Sequence, residues 1–214
     1  MEAKGQVLRL RCAPLSKTNR SMKIIGLTGG IAMGKSTAAA MLRRLQVPVH
    51  DSDAAVHQLY AKGGAAVPLI GQAFPSAIRD GAVDRAALRE TVLDKPEALK
   101  QLEALIHPLA RQHSQVWLQR QRMRRTRLVV LDIPLLFETG RDREVDDIWV
   151  VNCPPFVQRQ RALARPGMDA DKLAAILKRQ VPQSHRLRCA DRLFQTGNGK
   201  AALFRDLRAA LRAA

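Results

Sequence analysis

The sequence has few cysteines, few aromatic residues and no long apolar run. Its three cysteines, Cys12, Cys153 and Cys189, lie far apart without a CxxC pair, so neither a zinc site nor a disulfide framework is indicated. Reduced thiols are typical of a cytoplasmic protein. No apolar run approaches the roughly 18 to 20 residues of a membrane-spanning helix, so we expect a soluble protein without a membrane partner.

Acidic residues are also scarce relative to basic ones. The chain has 36 Lys and Arg against 19 Asp and Glu, which gives a formal net charge of +17. Such an excess favours anionic partners, namely nucleic acid, anionic lipid or phosphorylated metabolites, and charge alone does not distinguish them. Aromatic residues make up only 4% of the chain, which is few for a surface that stacks on bases, so we expect no nucleic-acid partner.

The rest of the composition, 46% hydrophobic and 26% charged over 214 residues, is typical of a globular protein with a core. Residues 1–21 differ, because they carry five basic residues and one acid and lack the apolar centre of a secretory signal. We predict a disordered basic N-terminal extension there. A start at Met22 or a mitochondrial-type targeting peptide also fits this composition.

From Lys23 onward, short apolar segments alternate with helical patterns. This alternation predicts an α/β fold with a mostly parallel sheet and helices on both faces. The strand candidates are residues 23–27, 47–50, 128–133, 148–152 and 193–196.

Two segments are too long to be simple crossovers. Residues 54–127 are mainly helical and predict a helical substrate-binding insertion. Residues 155–188 form a strongly basic helical pair broken at Pro166-Gly167, which predicts a lid. The core would then comprise residues 22–53, 128–154 and 189–214.

A phosphate-binding loop follows the first strand. Residues 29–36 have the sequence GGIAMGKS, which matches G-x-x-x-x-G-K-S/T between a strand and a helix. Backbone N–H groups of such a loop point into one concavity, and the helix N-terminus adds partial positive charge. Lys35 supplies charge at the β- and γ-phosphates, Ser36 a hydroxyl ligand for Mg²⁺, and Thr37 can reach the α-phosphate. The predicted nucleotide-binding residues are Gly30, Ile31, Ala32, Met33, Gly34, Lys35, Ser36 and Thr37.

Three aspartates follow predicted strands. Asp132 ends one strand, where it either orients Mg²⁺ through water or caps a loop or helix. Asp51 and Asp53 follow another strand, at the sheet edge where open α/β folds bind ligands. One of the two should face the phosphoryl acceptor. Alternatively, an aspartate here caps the N-terminus of the following helix. Both interpretations can hold, with one role for each aspartate.

Two arginines of the predicted lid, Arg161 and Arg165, are four residues apart and would share one helix face. Such a pair can close over a nucleotide and neutralise phosphate charge. An ordinary solvated basic face has the same spacing, so the residues alone leave both readings open.

Taken together, these motifs resemble the dephospho-CoA kinase family from Met22 to the C-terminal helix. The most diagnostic blocks are DIPLLFE at residues 132–138 and the helical His107-Pro108 element. The other similar blocks are residues 25–37, 51–53, 158–165, Gln180 and 190–199.

The resemblance implies a P-loop kinase with a five-stranded parallel sheet, a helical CoA-binding insertion and a lid. It implies ATP-dependent phosphorylation of the dephospho-CoA 3′-hydroxyl, giving coenzyme A and ADP, with ATP and Mg²⁺ as cofactors. Asp53 would be the acceptor-side base, and Arg161 would contact phosphate with Lys35. Ser36 and Asp132 would position the metal.

Some features depart from the family pattern or leave other readings open. Met33 stands where the family has a small residue, and we expect the loop to tolerate this change. Pro166 stands where an acidic residue is common, and we expect it to alter the motion of the lid. Another small-molecule or nucleoside monophosphate kinase, or a nucleic-acid-binding P-loop protein, is the alternative. We expect a cytoplasmic monomer or small homo-oligomer, with His107, His113 and His185 in structural roles.

Overall fold

A computed structural model describes residues 22–93 and 95–214, so the predicted N-terminal extension lies outside the described residues. None of the helices described has both the length and the apolar character needed to cross a membrane. The elements are β1 Lys23–Thr28, α1 Lys35–Arg44, β2 Val49–Asp51, α2 Ser52–Tyr60, α3 Ala66–Ala73, β3 Ile78–Arg79, β4 Ala82–Val83, α4 Arg85–Val92, α5 Pro96–Met123, β5 Leu128–Asp132, β6 Asp147–Asn152, α6 Pro155–Leu163, α7 Ala170–Arg179, α8 Gln183–Cys189, β7 Arg192–Gln195 and α9 Lys200–Arg212.

Five strands form the main sheet, in the order β2-β5-β1-β6-β7. β1 is central and pairs in parallel with β5 on one side and β6 on the other, and β6 pairs in parallel with β7. The predicted five-stranded parallel sheet is therefore confirmed. Because the strands run parallel, their carboxyl ends meet at one edge, where the loop after β1 and Asp132 at the end of β5 both lie.

By its internal contacts the described chain divides into two compact units. The first comprises residues 22–49 and 126–214 and contains the P-loop and most of the sheet. Its core is built from strand residues such as Ile25, Leu27 and Trp149, together with Leu42 of α1 and Leu207 of α9. These strands are apolar on both sides because helices cover both faces of a parallel sheet.

The second unit, His50–Arg125, is mainly helical and has a core of its own, which includes Leu59, Ile70 and Ile106. It also contains an antiparallel hairpin of β3 and β4, which the sequence analysis did not predict. The turn residues Asp80 and Gly81 have φ angles of 52° and 76°. Both angles are positive, as the tight hairpin turns favoured by Asp-Gly require.

The predicted lid segment holds three helices, α6, α7 and α8, rather than a helical pair. The break falls at the predicted place, since α6 ends at Leu163 and Gly167 adopts a left-handed φ of 72°. Asp169 then begins α7, where its carboxylate accepts a hydrogen bond from the Lys172 backbone N–H at 2.8 Å. The additional helix, α8, follows Pro182.

Candidate nucleotide-binding site

The loop between β1 and α1 has the backbone that its glycines predict. A Cβ at Gly29 would lie 2.9 Å from the backbone oxygen of Val151, which leaves no room for a side chain. Gly34 adopts a left-handed φ of 89° immediately before Lys35, the first residue of α1. The Met33 N–H donates to the Gly30 carbonyl at 3.2 Å and closes the turn. The loop therefore ends at a helix N-terminus, where backbone N–H groups are available to an anion.

Two predicted site residues, Lys35 and Asp132, form an ion pair. Lys35 Nζ lies 2.6 Å from Asp132 Oδ1, and the side chains are only 14% and 4% exposed. The parallel register sets this contact, because Leu27 of β1 is aligned with Asp132 of β5. A buried carboxylate needs such a partner. Lys35 is thus oriented toward the carboxyl edge of the sheet.

The oxygen donors expected around a magnesium ion lie on two elements of the first unit. Ser36 is exposed in the first turn of α1, and Asp132 is buried at the end of β5. A hydroxyl and a carboxylate suit Mg²⁺, which prefers oxygen ligands and takes the rest of its shell from water and substrate phosphates. The donor set therefore fits the expected ion.

Arg161 of α6 is tied to the P-loop through Thr196. Its Nη1 and Nη2 donate to the hydroxyl and the carbonyl of Thr196, at 3.0 and 2.9 Å. The Thr196 hydroxyl in turn donates to the Met33 carbonyl at 2.8 Å. The same guanidinium acts on Cys153, whose pKa is raised by burial and lowered to a smaller extent by the charge of Arg161. The guanidinium therefore lies beside the loop, and its contact with phosphate stays a prediction.

Arg165 does not share a helix face with Arg161. Helix α6 ends at Leu163, and Arg165 lies beyond it with an exposed side chain. The reason is Pro166, because a proline ring disfavours helical backbone at the residue before it. The expectation of a common helix face was wrong, and any phosphate contact of Arg165 remains a prediction.

Two glutamines of the lid segment hold the backbone of Ile31, which the sequence analysis did not anticipate. The Gln158 amide donates to the Ile31 carbonyl at 2.9 Å, and the Ile31 N–H donates to Gln180 Oε1 at 3.2 Å. In the sequence, Gln180 is only one of the blocks similar to the family. Its contact with Ile31 brings it to the phosphate end of the predicted site.

Arg186 is a second unanticipated residue at the loop. It is only 5% exposed, and its Nη1 donates to the Val181 carbonyl at 2.8 Å. Its Nη2 lies 2.9 Å from the point that a Cβ on Gly30 would occupy. Burial lowers the pKa of Arg186 from its usual value, and the charge of Glu138 opposes this shift. In the sequence this residue is one of many arginines in a basic segment, so only the fold distinguishes it.

In the second unit, Asp51 and Asp53 have separate positions. Asp51 is the N-cap of α2, where its Oδ1 accepts a hydrogen bond from the Ala54 N–H at 3.0 Å. Asp53 lies in the first turn of the same helix and is exposed. The capping reading therefore holds for Asp51, and the acceptor-side role of Asp53 stays a prediction.

The histidines make structural contacts. His113 Nε2 lies 3.0 Å from Gln58 Oε1, and its Nδ1 lies 3.1 Å from His50 Nε2 within the second unit. His185 of α8 packs against the Phe137 ring with a 5.3 Å centroid separation. These contacts agree with the structural role expected of His113 and His185.

Comparison with known proteins gives a consistent result. Residues 23–201 match the family model described as dephospho-CoA kinase. The dephospho-CoA kinase of Paramagnetospirillum magneticum is 58% identical over 165 residues, covering 77% of this chain and 78% of that protein. The dephospho-CoA kinase of Mesorhizobium japonicum is 54% identical over 181 residues, covering 85% of this chain and 91% of that protein.

Solved structures agree with the fold. A crystal structure of a Thermus thermophilus protein superposes with a TM-score of 0.76 at 35% identity, covering 90% of this chain and 97% of that one. The dephospho-CoA kinase from Campylobacter jejuni superposes with a TM-score of 0.63 at 20% identity, covering 91% and 98% of the two chains.

Proposed function

The chain belongs to the dephospho-CoA kinase family, and on that premise we propose that it transfers the γ-phosphoryl group of ATP to the 3′-hydroxyl of dephospho-CoA. The products are coenzyme A and ADP, and the reaction is the final step of coenzyme A biosynthesis. The observation that carries the proposal is the phosphate-binding loop, with Lys35 held at its end by Asp132, in a chain whose relatives have this activity.

The loop accounts for nucleotide binding. Backbone N–H groups of the loop and of the first turn of α1 surround the phosphates, except those of Ile31 and Met33, which donate to Gln180 and Gly30. The N-terminus of α1 adds its dipole. Lys35 places its ammonium between the β- and γ-phosphates, where it offsets the charge that develops during transfer. Asp132 shares this ammonium with the phosphates and orients it at the end of the loop.

The lid supplies further positive charge. Arg161 is held beside the loop by Thr196, whose hydroxyl donates to the Met33 carbonyl, and we propose that it neutralises charge on the transferring phosphoryl group. Arg165 is exposed beyond α6, and we propose that it contacts the nucleotide when the lid segment closes. We therefore assign Arg161 to catalysis and Arg165 to nucleotide binding in a closed state.

Ser36 and Asp132 are the residues that would hold the magnesium ion. When bound, Mg²⁺ neutralises charge on the β- and γ-phosphates and orients them for in-line transfer. Asp132 would hold the ion with the same buried carboxylate that binds Lys35, and Ser36 would add its hydroxyl from the first turn of α1.

Asp53 is proposed to orient the acceptor hydroxyl and to accept its proton. Its carboxylate is exposed, and Asp51 already provides the hydrogen bond that caps α2. Phosphoryl transfer has a loose transition state, so alignment of the hydroxyl contributes more than the strength of the base. The second unit, which carries Asp53, is proposed to bind the CoA portion of the acceptor. We further expect the enzyme to act in the cytoplasm.

The decisive experiment measures ADP release from Mg-ATP with dephospho-CoA, adenosine, AMP, CMP, shikimate or gluconate as acceptor. We expect turnover with dephospho-CoA alone, a product with one added phosphate at the ribose 3′ position, and no turnover by Lys35→Ala. Turnover only with another acceptor would overturn the acceptor assignment and leave the P-loop kinase standing. Full activity of Lys35→Ala would overturn the site.

A further inference from the structure

Three polar side chains from the lid segment converge on the backbone of Gly30 and Ile31. Arg186 Nη2, Gln158 Nε2 and Gln180 Oε1 lie 2.9, 3.3 and 3.4 Å from the point that a Cβ on Gly30 would occupy. Gln158 also donates a hydrogen bond to the Ile31 carbonyl, and Gln180 accepts one from the Ile31 N–H. These two residues begin the phosphate-binding part of the loop. The guanidinium fits beside the loop because Gly30 has no side chain.

Arg186 is unusual among the three because it buries a permanent charge. Its Nε has no hydrogen-bond partner within the described residues, although only 5% of the residue is exposed. Burial of a cation is costly unless its charge and its N–H groups are compensated. An apolar side chain of the same length would fill this space equally well, so packing alone does not explain an arginine here.

The hydrogen bonds and the nearby charge that compensate the buried cation also hold Arg186 in place. Nη1 donates to the Val181 carbonyl, and the Val181 N–H donates to Glu138 Oε1 at 2.9 Å. Glu138 therefore fixes the segment that carries the guanidinium, and its charge favours the cation. Because the guanidinium is planar and presents its N–H groups in a fixed fork, holding one end at Val181 directs the other end toward Gly30.

We propose that Arg186 is a positioning residue for the nucleotide: it supports the loop by filling the space beside Gly30 on the lid side, and it adds a permanent positive charge behind the phosphate-binding loop. The inference rests on the proposed function only in that the loop binds a nucleotide. A phosphate bound to the loop would benefit from this charge even without touching it, since Coulomb interactions are little screened in a buried site. The effect should therefore fall on nucleotide affinity and leave acceptor affinity unchanged.

The test compares Arg186→Met, Arg186→Lys and the control Arg188→Met, which removes an exposed arginine from the same helix. The dissociation constant of ADP, the KM values of ATP and dephospho-CoA, and the melting temperature are measured for each. We expect Arg186→Met to weaken ADP binding and raise the KM for ATP about tenfold or more, as loss of a charged interaction does. The KM for dephospho-CoA should not change.

Arg186→Lys should restore part of the ADP affinity, because it keeps the charge and loses the fork, and Arg188→Met should match the wild type. A lower melting temperature of Arg186→Met with wild-type ADP affinity would overturn the proposal and show a packing role. If Arg186→Met does not fold, Arg186→Lys decides, and wild-type ADP affinity in that variant refutes a role for the fork. Failure of the wild type to phosphorylate dephospho-CoA, with ADP binding intact, would contradict the proposed function and not this inference.

Discussion

The ion pair between Lys35 and Asp132 should stabilise the fold as well as serve the chemistry of the enzyme. Lys35→Met removes the cation and leaves the Asp132 carboxylate, 4% exposed, without it. Breaking a buried pair by removing one partner costs about 3–5 kcal/mol. Because Lys35 is itself 14% exposed, we expect the lower end, a loss of about 3 kcal/mol in the free energy of unfolding.

A matched control lies in the same unit. Lys23 Nζ is 2.8 Å from Asp147, but these side chains are 30% and 16% exposed. Water screens such a pair, so Lys23→Met should cost less than about 1 kcal/mol. The two ion pairs have the same residue types and similar N–O distances, so they differ mainly in how deeply they are buried.

Urea unfolding measured by tryptophan fluorescence would provide the free energies. Trp149 is buried in the core of the first unit, and Trp117 lies in the second, so a Trp117→Phe background isolates the first unit's signal. Lys35→Met should lower the unfolding midpoint without changing the slope. The double variant Lys35→Met/Asp132→Asn should lose less than the sum of the single variants, by about 1–2 kcal/mol. Equal losses from Lys35→Met and Lys23→Met, with no coupling in the double variant, would refute the reasoning.

Three further predictions concern the proposed roles of individual residues. Asp53→Asn should lower kcat about a hundredfold or more with little change in the KM for ATP, whereas Asp51→Ala should chiefly lower the free energy of unfolding, by about 1 kcal/mol; steady-state kinetics and urea titration separate the two. Arg161→Met should reduce kcat/KM for ATP more than Arg165→Met does, and equal losses would count against the contrast between the anchored and the exposed arginine. Gly29→Ala should abolish ADP binding in calorimetry, because its Cβ would meet the backbone of the neighbouring strand; an unchanged affinity would mean that the strand yields.

The central part of the fold could be predicted because its signals are local. Apolar segments that alternate with helical patterns predicted a mostly parallel sheet, the family resemblance implied five strands, and the GGIAMGKS motif predicted the loop. Motif and sheet together were enough to expect Lys35 and Asp132 at the same edge, since the carboxyl ends of parallel strands meet there. The sequence could not give their 2.6 Å contact, which depends on the β1–β5 register.

The lid was predicted less completely, because its contacts join residues far apart in the chain. Nothing in the sequence around Arg186 indicates that it packs against Gly30, and nothing around Gln158 indicates its bond to Ile31. The error at Arg165 was a local one, since the effect of Pro166 on the preceding residue could have been applied. The Asp80-Gly81 hairpin was likewise available from turn chemistry and was overlooked.

The position of β1 in the middle of the sheet has a consequence for synthesis of the chain. Both of its neighbours, β5 and β6, come after the second unit in sequence, so the strand that precedes the P-loop leaves the ribosome long before its partners. The second unit has a core of its own and can begin to fold in that interval, since domains fold as units while the chain grows. The phosphate-binding loop would then acquire its shape late, when Leu128 has been made and can pair with Lys23. A ribosome stalled before β5 should therefore display a nascent chain that is compact in its second unit and unable to retain nucleotide.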